Sequence, residues 1–212
     1  MTVSLPDFSR EALLYRHGVK RIAGVDEVGR GPLAGPVTAA AVWLDPNNIP
    51  DGLNDSKKLS PKRREALFEM LLQEADVSIA HASVAEIDEH NILRASHMAM
   101  MRALAGLKGR ADYAFIDGTL KPKGLNLPAD MIVKGDAKAQ SIAAASIVAK
   151  VARDRIMAEL DHAFPHYGWA TNAGYPTVAH KLALKEHGVT PHHRRSFRPV
   201  HNILYPDTIV TS

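Results

Sequence analysis

The chain has 212 residues, 46% of them hydrophobic, with 26 Lys and Arg against 23 Asp and Glu for a net charge of +3, enough for one domain with a sizeable core. It has no cysteine, which excludes disulfides, thiolate metal sites and cysteine nucleophiles. Asp7, Arg10, Glu11 and Arg16 interrupt the first turns of the chain, so no signal-peptide core is read there. No stretch approaches the roughly 20 apolar residues of a membrane span, and a cytoplasmic protein without membrane contact is expected.

Residues 21–28 and 36–44 read as two strands joined by a bend rich in Gly and Pro, and Asp45-Pro46-Asn47-Asn48 breaks the second. Ser60-Pro61 opens a helix with Leu67, Met70 and Leu71 at helical spacing. Residues 77–84 predict a third strand, and 86–107 one long helix closed by Gly109. Short strands follow at 113–116, ending at Asp117-Gly118, and at 131–133, ending near Gly135-Asp136. Residues 141–160 form an alanine-rich buried helix, 176–187 a further helix stopped by Gly188, and 199–212 a loosely held tail. Strands first, then strands alternating with helices, predict a single α/β domain around a mixed sheet.

Four acids stand out by position. Asp26 and Glu27 end the first strand, Asp117 ends the fourth, and Asp136 precedes the alanine-rich helix. Strand ends on one edge of an α/β sheet converge on a common crevice, and burying ionised carboxylates there calls for a compensating cation. Oxygen ligands suit Mg²⁺ or Mn²⁺, and a metal pair suits phosphodiester cleavage. A solvent-exposed turn after an edge strand is the competing reading of Asp26-Glu27. Adjacent strand residues point to opposite faces, so a shared site requires a backbone bend between the two, which Gly29 and Gly31 would permit. Asp136, at a helix N-terminus, is expected to be held ionised by the helix dipole. Asp154 lies ~27 Å further along an unbroken helix, at ~1.5 Å per residue, and, flanked by Arg153 and Arg155, reads as a residue of surface or packing salt bridges.

Two basic stretches fit a polyanionic partner, although solvated helix faces explain either alone. One holds Lys57, Lys58, Lys62, Arg63 and Arg64 without an acid, and the other holds Lys181, Lys185, Arg194, Arg195 and Arg198 against Glu186. Ser146, amid alanines, reads as packing. The adjacent His192 and His193 are weak evidence for a metal.

The chain resembles bacterial ribonuclease HII. The resemblance runs from about Ile22 to Pro199 through the segments 26–36, Asn54-Asp-Ser-Lys-Lys-Leu-Ser60, Ile116-Asp-Gly118, Gly135-Asp136, 143–154, Gly174-Tyr-Pro-Thr177 and His193-Arg-Arg-Ser-Phe197. It implies an RNase H-like mixed β-sheet flanked by helices, spanning about 20–160, with a C-terminal helical substrate-binding extension over about 161–198. It further implies endonucleolytic cleavage of the RNA strand of RNA/DNA hybrids, and cutting 5′ to ribonucleotides embedded in duplex DNA, leaving 5′-phosphate and 3′-hydroxyl ends. By the resemblance Asp26, Glu27, Asp117 and Asp136 are the catalytic, metal-binding carboxylates for two Mn²⁺ or Mg²⁺ ions. Gly29, Arg30, Gly31 and Tyr175 are the residues that read the ribose; Lys57 and Lys58 are expected near phosphates. Arg194, Arg195 and Ser196 are expected either to anchor phosphates or to pin the C-terminal helices. A monomer with a role in DNA repair is implied. Val28 stands where many relatives have alanine. Against ribonuclease HIII stand the short N-terminal segment and Arg30 in the glycine loop. Against other two-metal enzymes of this fold stand the Gly-Arg-Gly bend and the Gly-Tyr-Pro-Thr segment. A non-catalytic hybrid-binding protein would have no use for four acids that repel nucleic acid.

Overall fold

Asp76–Ala82 (β3), Val37–Trp43 (β2), Ile22–Val28 (β1), Tyr113–Asp117 (β4) and Ala129–Ile132 (β5) lie side by side in that order in one sheet. The structure is a computed structural model that describes residues 5–206. β1, β2 and β3 form an antiparallel meander, while β4 and β5 run parallel to β1. The small inward residues of β1 and β2, Ala23, Val25, Ala39 and Ala41, pack on one side against Ala95, Ala99, Met100 and Ala103. These belong to Ile92–Ala105 (α4), which follows Val84–His90 (α3). On the other side, Ala40 and Val42 meet Pro61–Glu74 (α2) and the alanine-rich Gln140–Ala163 (α5). The result is three layers with the sheet in the middle.

Gly24 sets the distance between β1 and α5. A Cβ there would lie 2.0 Å from the Ser141 carbonyl carbon, so only glycine admits the helix this close. The N-terminus of α5 is met by Glu11 of Ser9–Arg16 (α1), an element not foreseen from the sequence. Glu11 Oε1 accepts the Ser141 N–H at 3.0 Å and its hydroxyl at 2.6 Å, serving amide groups that a helix start leaves unpaired.

Three sequence expectations change. The helix expected over 86–107 is two helices, broken at Asn91, whose φ of 67° is left-handed and whose side chain accepts the Arg94 N–H to start α4. The residue pattern is helical on both sides of the break, and periodicity alone does not register it. The third strand stops at Ala82 because Ser83 and Glu86 form a reciprocal capping box at the start of α3. The segment after Pro199 is not loose as far as Leu204. Arg198–Leu204 (α8) has Pro199 in its first turn and buries Val200 completely. Residues 207–212 of the expected tail lie outside the described residues.

The remaining C-terminal part is Trp169–Asn172 (α6) and Val178–His187 (α7), the latter capped by Thr177. With α8 they close a separate apolar cluster, built on Trp169, Tyr167, Leu184 and Val200, against Met157 of α5 and Leu33 and Ala34 of the glycine-rich bend. No helix among the described residues is long and apolar enough to cross a membrane.

Candidate active site

The carboxylates of Asp26, Glu27 and Asp117 each offer an oxygen within 4.8 Å of the others. No bend lies between Asp26 and Glu27: β1 runs unbroken through both, paired to β2 as Asp26↔Ala40 and Glu27↔Ala39. The expected backbone bend is corrected to the end of the strand, at Gly29, where φ is +95°. The two acids meet for another reason. The ladder between β1 and β4 ends at Val25↔Ile116, so continuing it by one residue sets Asp26 beside Asp117. Asp26 falls on the α5 side with Gly24; Glu27 falls on the α4 side, in a 160 Å³ cavity with Leu93, Ser96 and Asp117. Both reach into the notch from opposite faces.

Electrostatically the notch is unfavourable without a cation. Burial, then the Glu27, Asp117 and Asp136 charges, push the Asp26 carboxyl well above the usual carboxylate range. Burial also raises Glu27, opposed by Arg30 at 3.3 Å and reinforced by Asp117. Asp26 Oδ1 accepts the Glu27 N–H at 2.7 Å, and Asp117 Oδ1 accepts the Gly135 N–H at 2.7 Å, bonds that orient each side chain. Glu27 Oε2 is buried with no hydrogen-bond partner. An all-oxygen set with an orphaned, buried oxygen fits a hard divalent cation.

Asp136 stands outside this trio. It lies in a 3₁₀ turn, Gly135–Ala137, ahead of α5 rather than at its first turn. The expectation that a helix dipole lowers its pKa is corrected. Burial, then the Asp55 and Asp117 charges, raise it, while Lys57 acts in the opposite direction. Asp136 is therefore part of the same charge cluster, and Asp55, which the sequence reasoning passed over inside Asn54–Ser60, is its immediate neighbour. That segment is held to α5 by the buried pair of hydroxyls Ser56 and Ser146, 2.8 Å apart, so Ser146 is more than filler. Lys57 and Lys58 are exposed.

Beside the notch, the Gly29–Pro36 bend is held almost entirely through its backbone. Arg194 is fully buried and donates to the carbonyls of Gly29 (2.6 Å), Gly35 (3.0 Å), Arg30 (3.1 Å) and Pro36 (3.2 Å). Arg153, equally buried, donates to Pro36, Ala34 and Ala173. Burial lowers both guanidinium pKa values, to about 9 and about 10, with the Arg153 charge adding to the effect on Arg194; both stay charged at neutral pH. The expectation that Arg194 anchors phosphate is thereby corrected, because its donors face inward. Ser196 likewise spends its hydroxyl and N–H on Asp88, which also accepts the Arg195 N–H; Arg195 and Ser196 are both exposed.

Tyr175 meets the same bend. A Cβ on Gly31 would come 3.2 Å from the Tyr175 ring, which is 44% exposed. Its carbonyl accepts from His180 Nδ1 at 2.9 Å, leaving His180 Nε2 to accept from Trp169 Nε1–H and from His193 Nε2–H, both at 3.1 Å. His193 Nδ1 in turn accepts the Thr190 N–H at 3.0 Å. Each tautomer is fixed by its neighbours, and burial lowers the His193 pKa to about 3. These histidines brace Tyr175, all four of their ring nitrogens meeting protein partners. Asp154 forms the expected kind of salt bridge, with Lys150 at 2.6 Å, one turn away on α5.

The ribonuclease HII family model matches residues 23–200. The chain is 64% identical over 190 residues to a ribonuclease HII of Roseobacter denitrificans, covering 90% of this chain and 96% of that one. It is 63% identical over 211 residues to a ribonuclease HII of Cereibacter sphaeroides, covering both chains in full. Among solved structures, the ribonuclease H2 of Pyrococcus horikoshii superposes with a TM-score of 0.75 at 30% identity, over 87% of this chain and 97% of that one.

Proposed function

This chain belongs to the ribonuclease HII family of metal-dependent ribonuclease H endonucleases acting on RNA/DNA hybrids, and from that premise we propose that it also cuts 5′ to single ribonucleotides embedded in duplex DNA, leaving 5′-phosphate and 3′-hydroxyl ends. Its work is then ribonucleotide removal during DNA repair, by a cytoplasmic monomer. The observation that carries this reading is the carboxylate trio with its orphaned Glu27 oxygen, in a cavity that Arg30 of the glycine-rich bend also lines.

In this reading Asp26, Glu27 and Asp117 hold Mn²⁺ or Mg²⁺, with Asp136 completing the set on the Lys57 side. When bound, the ions supply activation of water and neutralisation of charge at the leaving oxygen. The residues of the chain do the rest. Gly29 and Gly31 keep side-chain bulk away from the sugar, so backbone groups approach the 2′-hydroxyl that distinguishes RNA from DNA. Tyr175 offers its ring to the sugar and its hydroxyl as donor. Arg30 holds Glu27 in place and, half exposed, turns its remaining donors to phosphate. Lys57 and Lys58 contact flanking phosphates.

The test is a duplex with one ribonucleotide, incubated with and without Mn²⁺ or Mg²⁺, the cut mapped by end-labelling. Cleavage 5′ to the ribonucleotide is expected only with metal. Asp117→Asn should lower turnover about a thousandfold, equivalent to ~4 kcal/mol of transition-state stabilisation. Cutting in a metal chelator, or near-parent turnover by that variant, would overturn the assignment.

A further inference from the structure

On the α4 side, the cavity that holds Glu27 and Asp117 does not end at the helix. His97, which lines it, also lines a neighbouring cavity of 460 Å³ with Arg94, Met98, Met101 and Lys123. Arg94, His97, Met98 and Met101 are three, four and seven residues apart and share one face of α4. Lys123, from the β4–β5 connection, supplies the facing wall. The two cavities form one groove that leaves the acid notch and crosses α4. No acid lines the outer cavity. Asp88, beyond its far end, is occupied by the Arg195 and Ser196 amides, and Glu89 lies against His90.

The cations of this groove are uncommitted. Arg102, on the same helix, is clamped by Glu86 and by the His81 carbonyl. Arg21 pairs with Asp76, Arg155 with Glu65 and Glu69, and Arg153 and Arg194 are consumed by carbonyls. By contrast, the exposed Arg94 guanidinium and Lys123 ammonium make no hydrogen bond or ion pair among the described residues. The stretch from Arg94 to Met101 spans ~10 Å, room for two successive backbone phosphates, one for each cation.

We propose that this groove is a second phosphate track, in which Arg94 and Lys123 hold the nucleic-acid backbone leading away from the cut. It lies across the sheet from Lys57 and Lys58, so the substrate is gripped from both sides of the acid notch. This rests on the nuclease reading above, and deepens it by naming where the substrate continues.

The experiment compares the parent with the double variant Arg94→Ala/Lys123→Ala, whose side chains are exposed, with urea midpoints measured to verify equal folding. Binding of a long ribonucleotide-containing duplex is followed by fluorescence anisotropy as a function of salt, and cleavage by steady-state kinetics. Loss of two phosphate contacts should reduce the slope of log K against log salt by ~1.8. The KM should rise about tenfold at low salt with kcat unchanged, and a duplex trimmed close around the ribonucleotide should show no difference. An unchanged slope and KM would overturn the track, as would an equal loss on the trimmed duplex. A parent that binds but does not cut would defeat the nuclease reading while leaving the slope comparison to decide on the groove.

Discussion

Replacing Arg194 with methionine tests whether a buried guanidinium is what shapes the Gly29–Pro36 bend. Methionine approximates its length and removes every donor. Of the four carbonyls Arg194 serves, Pro36 keeps its bond to Arg153 Nε at 2.9 Å; those of Gly29, Arg30 and Gly35 lose the Arg194 contact. Three charge-assisted bonds at ~1.5 kcal/mol each amount to ~4–5 kcal/mol, and removing a buried cation returns part of this. A net destabilisation of ~2–4 kcal/mol is expected, read as a lower urea midpoint.

The functional effect should be local. Asp26, Glu27 and Asp117 sit on β1 and β4, which the sheet holds independently of the bend, so Mn²⁺ affinity by calorimetry should stay at the parent value. Cleavage at a single ribonucleotide should fall about a hundredfold in kcat/KM, equivalent to ~3 kcal/mol. Arg194→Lys keeps the charge, yet a single ammonium cannot fan out to four carbonyls, and it should resemble the methionine variant. Parent stability and parent kcat/KM in Arg194→Met would refute the argument; full rescue by lysine would show that charge, not the fork of donors, holds the bend.

Two further outcomes follow from the notch and from the β1–α5 contact. Asp26→Asn should abolish cleavage yet raise the urea midpoint of the metal-free protein at pH 7, since the amide oxygen can keep the Glu27 N–H bond. Because the folded-state pKa of Asp26 is raised, its cost is present above that pKa and vanishes on protonation, so the variant's advantage should shrink as pH falls towards the ordinary carboxylate range. A pH-independent difference in urea midpoint would contradict this. Gly24→Ala, with its Cβ 2.0 Å from Ser141 backbone, should cost ~3 kcal/mol, a fall of about 6–12 °C in melting temperature for a chain of this size; parent-like melting would mean that β1 and α5 can separate.

Much of the site is legible in one dimension because acids at the ends of apolar runs, beside glycines, have few other uses. Asp26, Glu27 and Asp117 could be picked out on that basis, and so could the five strands and the long alanine helix. What could not be read depends on partners far away in the chain. The burial of Arg194 arises from carbonyls 158 to 165 residues earlier, and no local pattern distinguishes such an arginine from a phosphate anchor. Glu11 looks like an ordinary surface acid on a weakly apolar helix, yet it is 1% exposed against Ser141. Asn91 and Pro199 carried usable signals, an N-cap residue and a first-turn proline, but each was outweighed by the wider pattern around it. The sign of the Asp136 shift failed for a similar reason: its distance from the α5 start and its contact with Asp55 are matters of tertiary placement.

The convergence of two adjacent acids has a topological origin. On a strand flanked by neighbours on both sides, Asp26 and Glu27 would be separated by the sheet itself. On the β2 side of β1 that remains true, with both residues still paired. On the β4 side the ladder ends at Val25↔Ile116, and Asp117, the last residue of β4, stands beside Asp26 at the end of the strand. The shorter aspartate approaches from the α5 face next to Asp117, and the glutamate, longer by one methylene, comes from the α4 face with Arg30 steering its carboxylate. The carboxylate cluster therefore forms where one parallel ladder stops short of its antiparallel neighbour. At the same point the Asp117 end of β4 opens into the α4-side cavity that also holds Glu27.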